Sequence, residues 1–450
     1  MSNKYQLEQQ LLSSKQIKDW LEFFLLMSKK NIILFGSLIM LILPTFALIT
    51  NFNDNNISHA FYVRARPESS GQVLIDPSLK VELIFRDGLK GPTTSMAFLG
   101  PNDILVLEKN TGKVQRILNG NLQEKPLLQA KVATEVELGM LGIAISKSQE
   151  GKTFVFLYYS EANSSGVVIG NRLYRYELVD DRLVNPLLLL NLPATSPIVG
   201  HENNHNGGKV VIGPDNNVYL IVGDVGGRMG NIQNIMRGNS PDGTSGILRV
   251  TQDGKSVDNG TFGNSVPNTL YYAYGIRNSF GFDFDPVTGN LWDSENGGID
   301  KDEINYVYPG FNSGWRKAMG MALSRFDPQV DLYNYAGKGE YSDPEFVWKQ
   351  TVAPTALKFL NSSRLGSQYE NTIFVGDVKT GNIYNFKLDT DRKQLLLKPP
   401  LDDKVADTPD EVQSVVFGQG FGVITDIQVG PDGYLYILGI NGSIYRIAPV

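Results

Sequence analysis

Val210–Val222 reads VVIGPDNNVYLIV and Ile427–Leu438 reads IQVGPDGYLYIL. Each is an apolar strand, a Gly-Pro-Asp turn, and a second strand in which aromatic and β-branched residues alternate. Pro and Asp favour the turn, Gly or Asn supplies its left-handed residue, and period-two alternation half-buries a strand. Related units stand at Phe98–Leu107 (FLGPNDILVL), Ile143–Tyr158 (IAISKSQEGKTFVFLY), Phe280–Trp292 (FGFDFDPVTGNLW) and Ala356–Val375. Their turns fall near residues 103, 151, 216, 289, 370 and 432, an average step of about 66 residues, longer than a compact propeller blade.

Six similar units imply radial repetition, because a single four-stranded sheet cannot bury both of its faces. The reading is all-β: a six-bladed β-propeller over residues 72–450, with inserted loops gathered on one face where a site belongs. The segment Gln72–Phe85 is expected to close the ring by pairing with Ile444–Ile447. Two stacked β domains are the alternative.

Composition narrows the function classes. Across 450 residues, Lys and Arg number 41 against 47 acidic residues, the net charge is −6, and cysteine is absent. With no basic block in the body of the chain, nucleic acid is not an expected partner. Disulfides, thiolate metal sites and cysteine nucleophiles are excluded. Asn31–Thr50 (NIILFGSLIMLILPTFALIT) is an apolar run of bilayer length with Lys29 and Lys30 directly before it. The positive-inside bias makes residues 1–30 a cytoplasmic extension and 31–50 a transmembrane anchor helix. A linker, 51–71, follows. Starting from Met27, the same run reads as a signal peptide. Either reading puts the working domain outside the cytoplasm, membrane-anchored or secreted.

Only three histidines occur: His59, His201 and His205. Gly200–Gly208 (GHENNHNGG) contains H-E-x-x-H, but Asn203, Asn204, Asn206, Gly207 and Gly208 form helix poorly, and a zinc protease needs that motif on a helix. A loop presenting His205 is the better reading. The strand, turn and strand that follow return Asp224 to the same rim. A carboxylate there fixes the imidazole's tautomer and supports a general base; a surface His beside an ordinary turn Asp is the alternative.

The stretches His205-Asn206-Gly207-Gly208-Lys209, Ile212–Asp215 and Gly223-Asp224 resemble the catalytic-histidine blade of the glucose/sorbosone dehydrogenase family, the soluble quinoprotein sugar dehydrogenases. In the family's order come Glu137–Gly142 (ELGMLG), Ser245–Arg249 (SGILR), Tyr274–Asn278 (YGIRN), Leu291–Asn305 with Gly310–Trp315 (GFNSGW), Trp348 with Ala353-Pro354, and Val375–Gly381 (VGDVKTG). The likeness spans about residues 80–449. It implies a dehydrogenase dependent on pyrroloquinoline quinone (PQQ) and calcium (Ca2+), oxidising the anomeric hydroxyl of aldoses and passing electrons to an external acceptor. His205 would be the base, Asp224 its orienting partner, and Arg277 the stabiliser of charge on the quinone oxygen. Asn278 and Lys379 would hold other cofactor edges, Trp348 would line the pocket, and Glu137 would face the sugar. The carbonyls of Gly297 and Gly298 would hold the metal.

Val423-Ile424-Thr425-Asp426 stands where the family has R-x-R-D, so two arginines that pair with the quinone carboxylates are missing. Arg316, Lys317 and Lys349 are the loop cations able to replace them. Without replacement the propeller becomes a binding module for carbohydrate or protein. A calcium-propeller lactonase or other hydrolase is the third reading. Inter-blade polar contacts are the alternative role for Arg277, Asn278 and Lys379, and blade packing is the alternative for Trp348.

Overall fold

The computed structural model describes residues 71–236, 238 and 240–450. The expected cytoplasmic extension, the apolar run Asn31–Thr50 and all but the end of the linker lie outside them. Among the described residues no helix is long and apolar enough to cross a membrane.

The chain folds as an all-β propeller. Its strands form six sheets, numbered I to VI here in the chain order of their inner strands. Those inner strands are Thr93–Gly100, Met140–Lys147, Val210–Ile212, Ser279–Phe284, Pro354–Phe359 and Ile424–Val429. Each pairs antiparallel with the strand that follows it, and the connecting turns are those of the sequence repeat. Each inner strand or its hairpin touches the next sheet's inner strand, and the last closes on the first. Two separate stacked domains are therefore excluded.

Period-two alternation explains the packing. On Thr153–Ala162 of sheet II, Leu157 faces the cluster shared with Leu105 and Leu107 of sheet I, while Tyr158 faces the one shared with Leu220 and Val222 of sheet III. Each junction around the ring has such a cluster: Ile221 with Phe282, Trp292 with Leu357, Phe374 with Ile437, and Leu438 with Met96. Both faces of every sheet are thus removed from water, which no single blade achieves alone.

Side chains also bind the ring around its axis. Ser95 donates to Leu141 O at 2.9 Å, and Thr355 to Ile424 O at 2.5 Å. Gly142 and Gly281 are required where inner strands meet, because a Cβ would run into the backbone of Gly208 and of Leu357. Closure differs from expectation in one respect. Leu79–Phe85 does pair with Ile444–Pro449 in sheet VI, with Val81 opposite Ile447. Val73–Leu74, however, pairs with Val416–Gln419 and edges sheet V. The turn at Asp76–Ser78, with Asp76 Oδ1 accepting from Ser78 N at 2.9 Å, breaks the segment and lets it serve two sheets.

Candidate active site

In each sheet the inner strand leaves one face of the propeller and its partner returns to it. Residues just before the first strand and just after the second therefore share a rim. Glu137, His205 and Arg277-Asn278 precede inner strands of sheets II, III and IV. Asp224, Gly297-Gly298 and Lys379 follow second strands of sheets III, IV and V. The repeat alone brings them to one face.

His205 sits at φ 59°, a left-handed conformation that costs a non-glycine residue roughly 1–3 kcal/mol and persists only where its surroundings enforce it. The enforcing contacts are visible. Val225 N donates to His205 O at 3.2 Å, and Asn206 N donates to Glu137 Oε2 at 3.1 Å. Gly207 (φ 62°) and Gly208 (φ 136°) lie where a Cβ would meet Ile221 O and Leu141. The turn aims the imidazole at Asp224, with Nδ1 2.6 Å from Oδ1. The histidine side chain is 15% exposed and the aspartate 1%.

Asp224 is fully engaged. Oδ1 also accepts from Gly227 N at 3.0 Å, and Oδ2 accepts from Trp315 Nε1 at 2.8 Å. Burial pushes its carboxyl up, but the His205 contact, the Trp315 donor and the Gly227 amide outweigh burial and hold it below the ordinary carboxylate range. A charged Asp224 fixes the proton on His205 Nδ1 and leaves Nε2 as the basic nitrogen. Gly223 is required beside it, since a side chain there would strike Asn278 Oδ1 and Arg277 O.

Arg277 donates through Nη1 to Asn296 O at 3.0 Å and to Gly297 O at 2.7 Å, and its guanidinium lies 5.5 Å from the Trp315 ring centre. Its backbone N–H donates to Glu295 Oε1 at 2.6 Å, and Ser313 Oγ donates to the other oxygen at 2.5 Å. Burial lifts Glu295 to about 7. Asn278 Nδ2 reaches Glu137 Oε2 at 3.3 Å, while Asn278 Oδ1 is buried and accepts no hydrogen bond. Glu137, His205, Asp224, Arg277 and Asn278 therefore form one connected group.

Lys379 joins that group indirectly. Asp302 accepts from Gly297 N at 2.8 Å and from Val352 N at 2.6 Å, and Lys379 N donates to Val352 O while its Nζ donates to Thr351. Trp348 does not join it. It is wholly buried between sheets IV and V, its ring 4.9 Å from Phe346 and 5.2 Å from Tyr384, so it packs the core instead of lining an open pocket. Strand position decides this: Trp348 pairs with Asp302 inside sheet IV.

The residues suit a quinone better than a metal. Arg277 and Lys379 offer donors to a flat, oxygen-rich anion. Gly297 O already accepts from a guanidinium, so a calcium ion there would sit against a like charge, and Gly298 has no neighbour within 4 Å of a Cβ position. Among the described residues no group of three or more His, Asp or Glu side chains is placed to hold a metal. The calcium expectation rests on the carbonyls of Gly297 and Gly298, and the first of these is shared with the Arg277 guanidinium.

Trp315, Ser313 and Glu295 were not assigned roles from sequence, although Trp315 ends the GFNSGW stretch and Glu295 lies in LWDSE. Ser313 and Trp315 lie in the insertion between Asp302–Val307 and Phe346–Trp348 of sheet IV, which folds back onto the rim, and Glu295 ends that sheet's second strand.

Comparison with known proteins gives a family and a fold. Residues 89–446 match the family model described as glucose/sorbosone dehydrogenase. The chain is 26% identical to aldose sugar dehydrogenase YliI of Escherichia coli over 375 residues, 81% of this chain and 92% of that one. It is 25% identical to quinoprotein glucose dehydrogenase B of Acinetobacter calcoaceticus, over 64% of this chain and 74% of the other. The solved soluble aldose sugar dehydrogenase of Escherichia coli superposes with a TM-score of 0.64 at 22% identity, covering 83% of this chain and 100% of that structure.

Proposed function

The chain belongs to the glucose/sorbosone dehydrogenase family, and from that premise we propose that it oxidises the anomeric hydroxyl of an aldose with PQQ as the acceptor. The observation that carries the reading is the His205–Asp224 pair at 2.6 Å, locked by Trp315 and set beside Arg277 on one rim. When bound, PQQ supplies the two-electron acceptor for the hydride leaving the sugar carbon.

The chain's own residues do the rest. His205 Nε2 takes the hydroxyl proton, and Asp224 stabilises the imidazolium that results. Arg277 presents a fixed positive charge where negative charge develops. Asn278 and Lys379 orient polar edges of the ligand, and Glu137 faces the sugar while holding the Asn206 backbone. No step is routed through calcium. Electrons leave to an external acceptor, and the apolar run Asn31–Thr50 supports an extracytoplasmic setting, anchored or secreted.

One observation favours a second reading, a non-catalytic propeller that binds carbohydrate or protein. Val423–Asp426 carries no cation, and Asp426 is consumed by Lys209 at 2.5 Å. The full chain should bind PQQ saturably and reduce an artificial acceptor when given a panel of aldoses. Absence of PQQ binding would remove the dehydrogenase reading and leave the binding module.

A further inference from the structure

We infer that Arg316 supplies the cation that holds a carboxylate of the bound quinone, a role the last blade of this chain cannot fill. The inference rests on the PQQ reading above, and three observations on this chain's own residues carry it.

The first is position. Arg316 follows Trp315, whose indole holds Asp224, and the Arg316 guanidinium lies 5.7 Å from that ring's centre. Its Nη2 is 3.7 Å from the Cβ position of Gly227, whose N–H donates to Asp224. Its backbone N–H donates to Gln233 O at 3.0 Å, and Gln233 Nε2 donates to Asp224 O at 3.2 Å. The residue is therefore fixed at both ends against the His205–Asp224 pair.

The second is the absence of competition. Among the described residues the Arg316 guanidinium meets no carboxylate and donates no hydrogen bond. Two other cations near the rim or in its loops are paired with carboxylates: Arg228 with Asp242 at 2.9 Å and Lys349 with Asp407 at 3.3 Å. Arg277 directs Nη1 at two carbonyls and is assigned above to the quinone oxygen, not to a carboxylate. Arg316 is exposed and keeps its fork of donors for a ligand.

The third is chemistry. Stacking on an indole orders a guanidinium before the ligand arrives, and its planar donors match a carboxylate two to two. PQQ is a tricarboxylate, and sheet VI offers it only Val423, Ile424, Thr425 and an aspartate already paired.

The test is equilibrium titration of the full chain with PQQ, followed by quenching of intrinsic fluorescence, so that no turnover is needed. Arg316→Ala and Arg316→Gln should each raise Kd ten- to a hundredfold, Arg316→Lys should fall between them and the unaltered chain, and Lys317→Ala should change nothing. Melting temperatures should match throughout, because the Arg316 side chain is exposed. Equal affinity of Arg316→Gln and the unaltered chain would overturn the inference while leaving the dehydrogenase reading intact. Absence of saturable binding by the unaltered chain would remove that reading and this inference together.

Discussion

Sheets III and VI lie opposite one another in the ring and open with nearly the same hairpin. In sheet III, Tyr219 Oη donates to the turn residue Asp215 at 2.9 Å; in sheet VI, Tyr436 Oη donates to Asp432 at 2.8 Å. Asn216 (φ 61°) and Gly433 (φ 78°) fill the same left-handed position. An arginine of the third strand approaches each aspartate, Arg249 at 3.7 Å and Arg446 at 3.1 Å. On the opposite rim the two sheets part. Sheet VI crosses between its second and third strands in a tight turn, with Ile440 N on Val423 O and Gly442 N on Gly439 O, both at 2.9 Å. Sheet III instead inserts residues 223–245 there and carries the His205 turn before its inner strand. The repeat builds scaffold on one face, and departures from the repeat build chemistry on the other.

The largest expected effect follows directly. His205→Ala should lower aldose turnover by about 10²–10⁴-fold, the usual contribution of a positioned general base, with PQQ affinity retained. Asn441→Ala, at the corresponding rim of sheet VI, should leave turnover unchanged. Steady-state kinetics on the two variants decides it: equal losses would mean that the rim of sheet III holds no special chemistry.

A second experiment tests a direct tie between these sheets. Lys209 of sheet III reaches across the ring to Asp426 of sheet VI, and both side chains are at most 5% exposed. Asp426 also accepts from Met96 N of sheet I at 2.9 Å. Removing one partner of a buried pair typically costs 3–5 kcal/mol, because it strands the other charge. Lys209→Met and Asp426→Leu should each destabilise by about that much in chemical denaturation, and the double variant should recover most of the loss. Additive losses would show that the two residues act separately.

The same contrast explains what the sequence could reveal. The hairpins were legible because local chemistry sets them: Gly, Pro, Asn and Asp at the turns, alternating apolar residues beside them. His205 and Asp224 were legible because one hairpin returns both to one rim. Trp315 and Arg316 were not placeable, since their loop reaches Asp224 only after the insertion packs against Gln233 and Asn234. Trp348 was misplaced because a tryptophan at a strand end reads alike whether it faces a cleft or the next blade. Glu295 has no surface signal; its shift comes from burial, which only the folded sheet supplies.

The smallest expected effect concerns what sheets III and VI share. Tyr219→Phe and Tyr436→Phe each delete one hydroxyl and leave the ring in place, so each should destabilise by about 0.5–1.5 kcal/mol, and by similar amounts if the two hairpins are equivalent. Turnover should survive in both, because the turns face away from the His205 rim. Alkaline pH sharpens the comparison. Burial, with the neighbouring Asp432 adding to it, pushes Tyr436 up to about 12 from an ordinary value of 10. A phenol whose folded pKa is raised stabilises the fold fully below its unfolded pKa and loses that contribution as pH rises through the folded one. The stability gap between the unaltered chain and Tyr436→Phe should therefore be constant up to about pH 10 and shrink between pH 10 and 12. Denaturation of the pair across that range measures it, and a gap that stayed constant to pH 12 would mean that the Tyr436–Asp432 contact does not stabilise the hairpin.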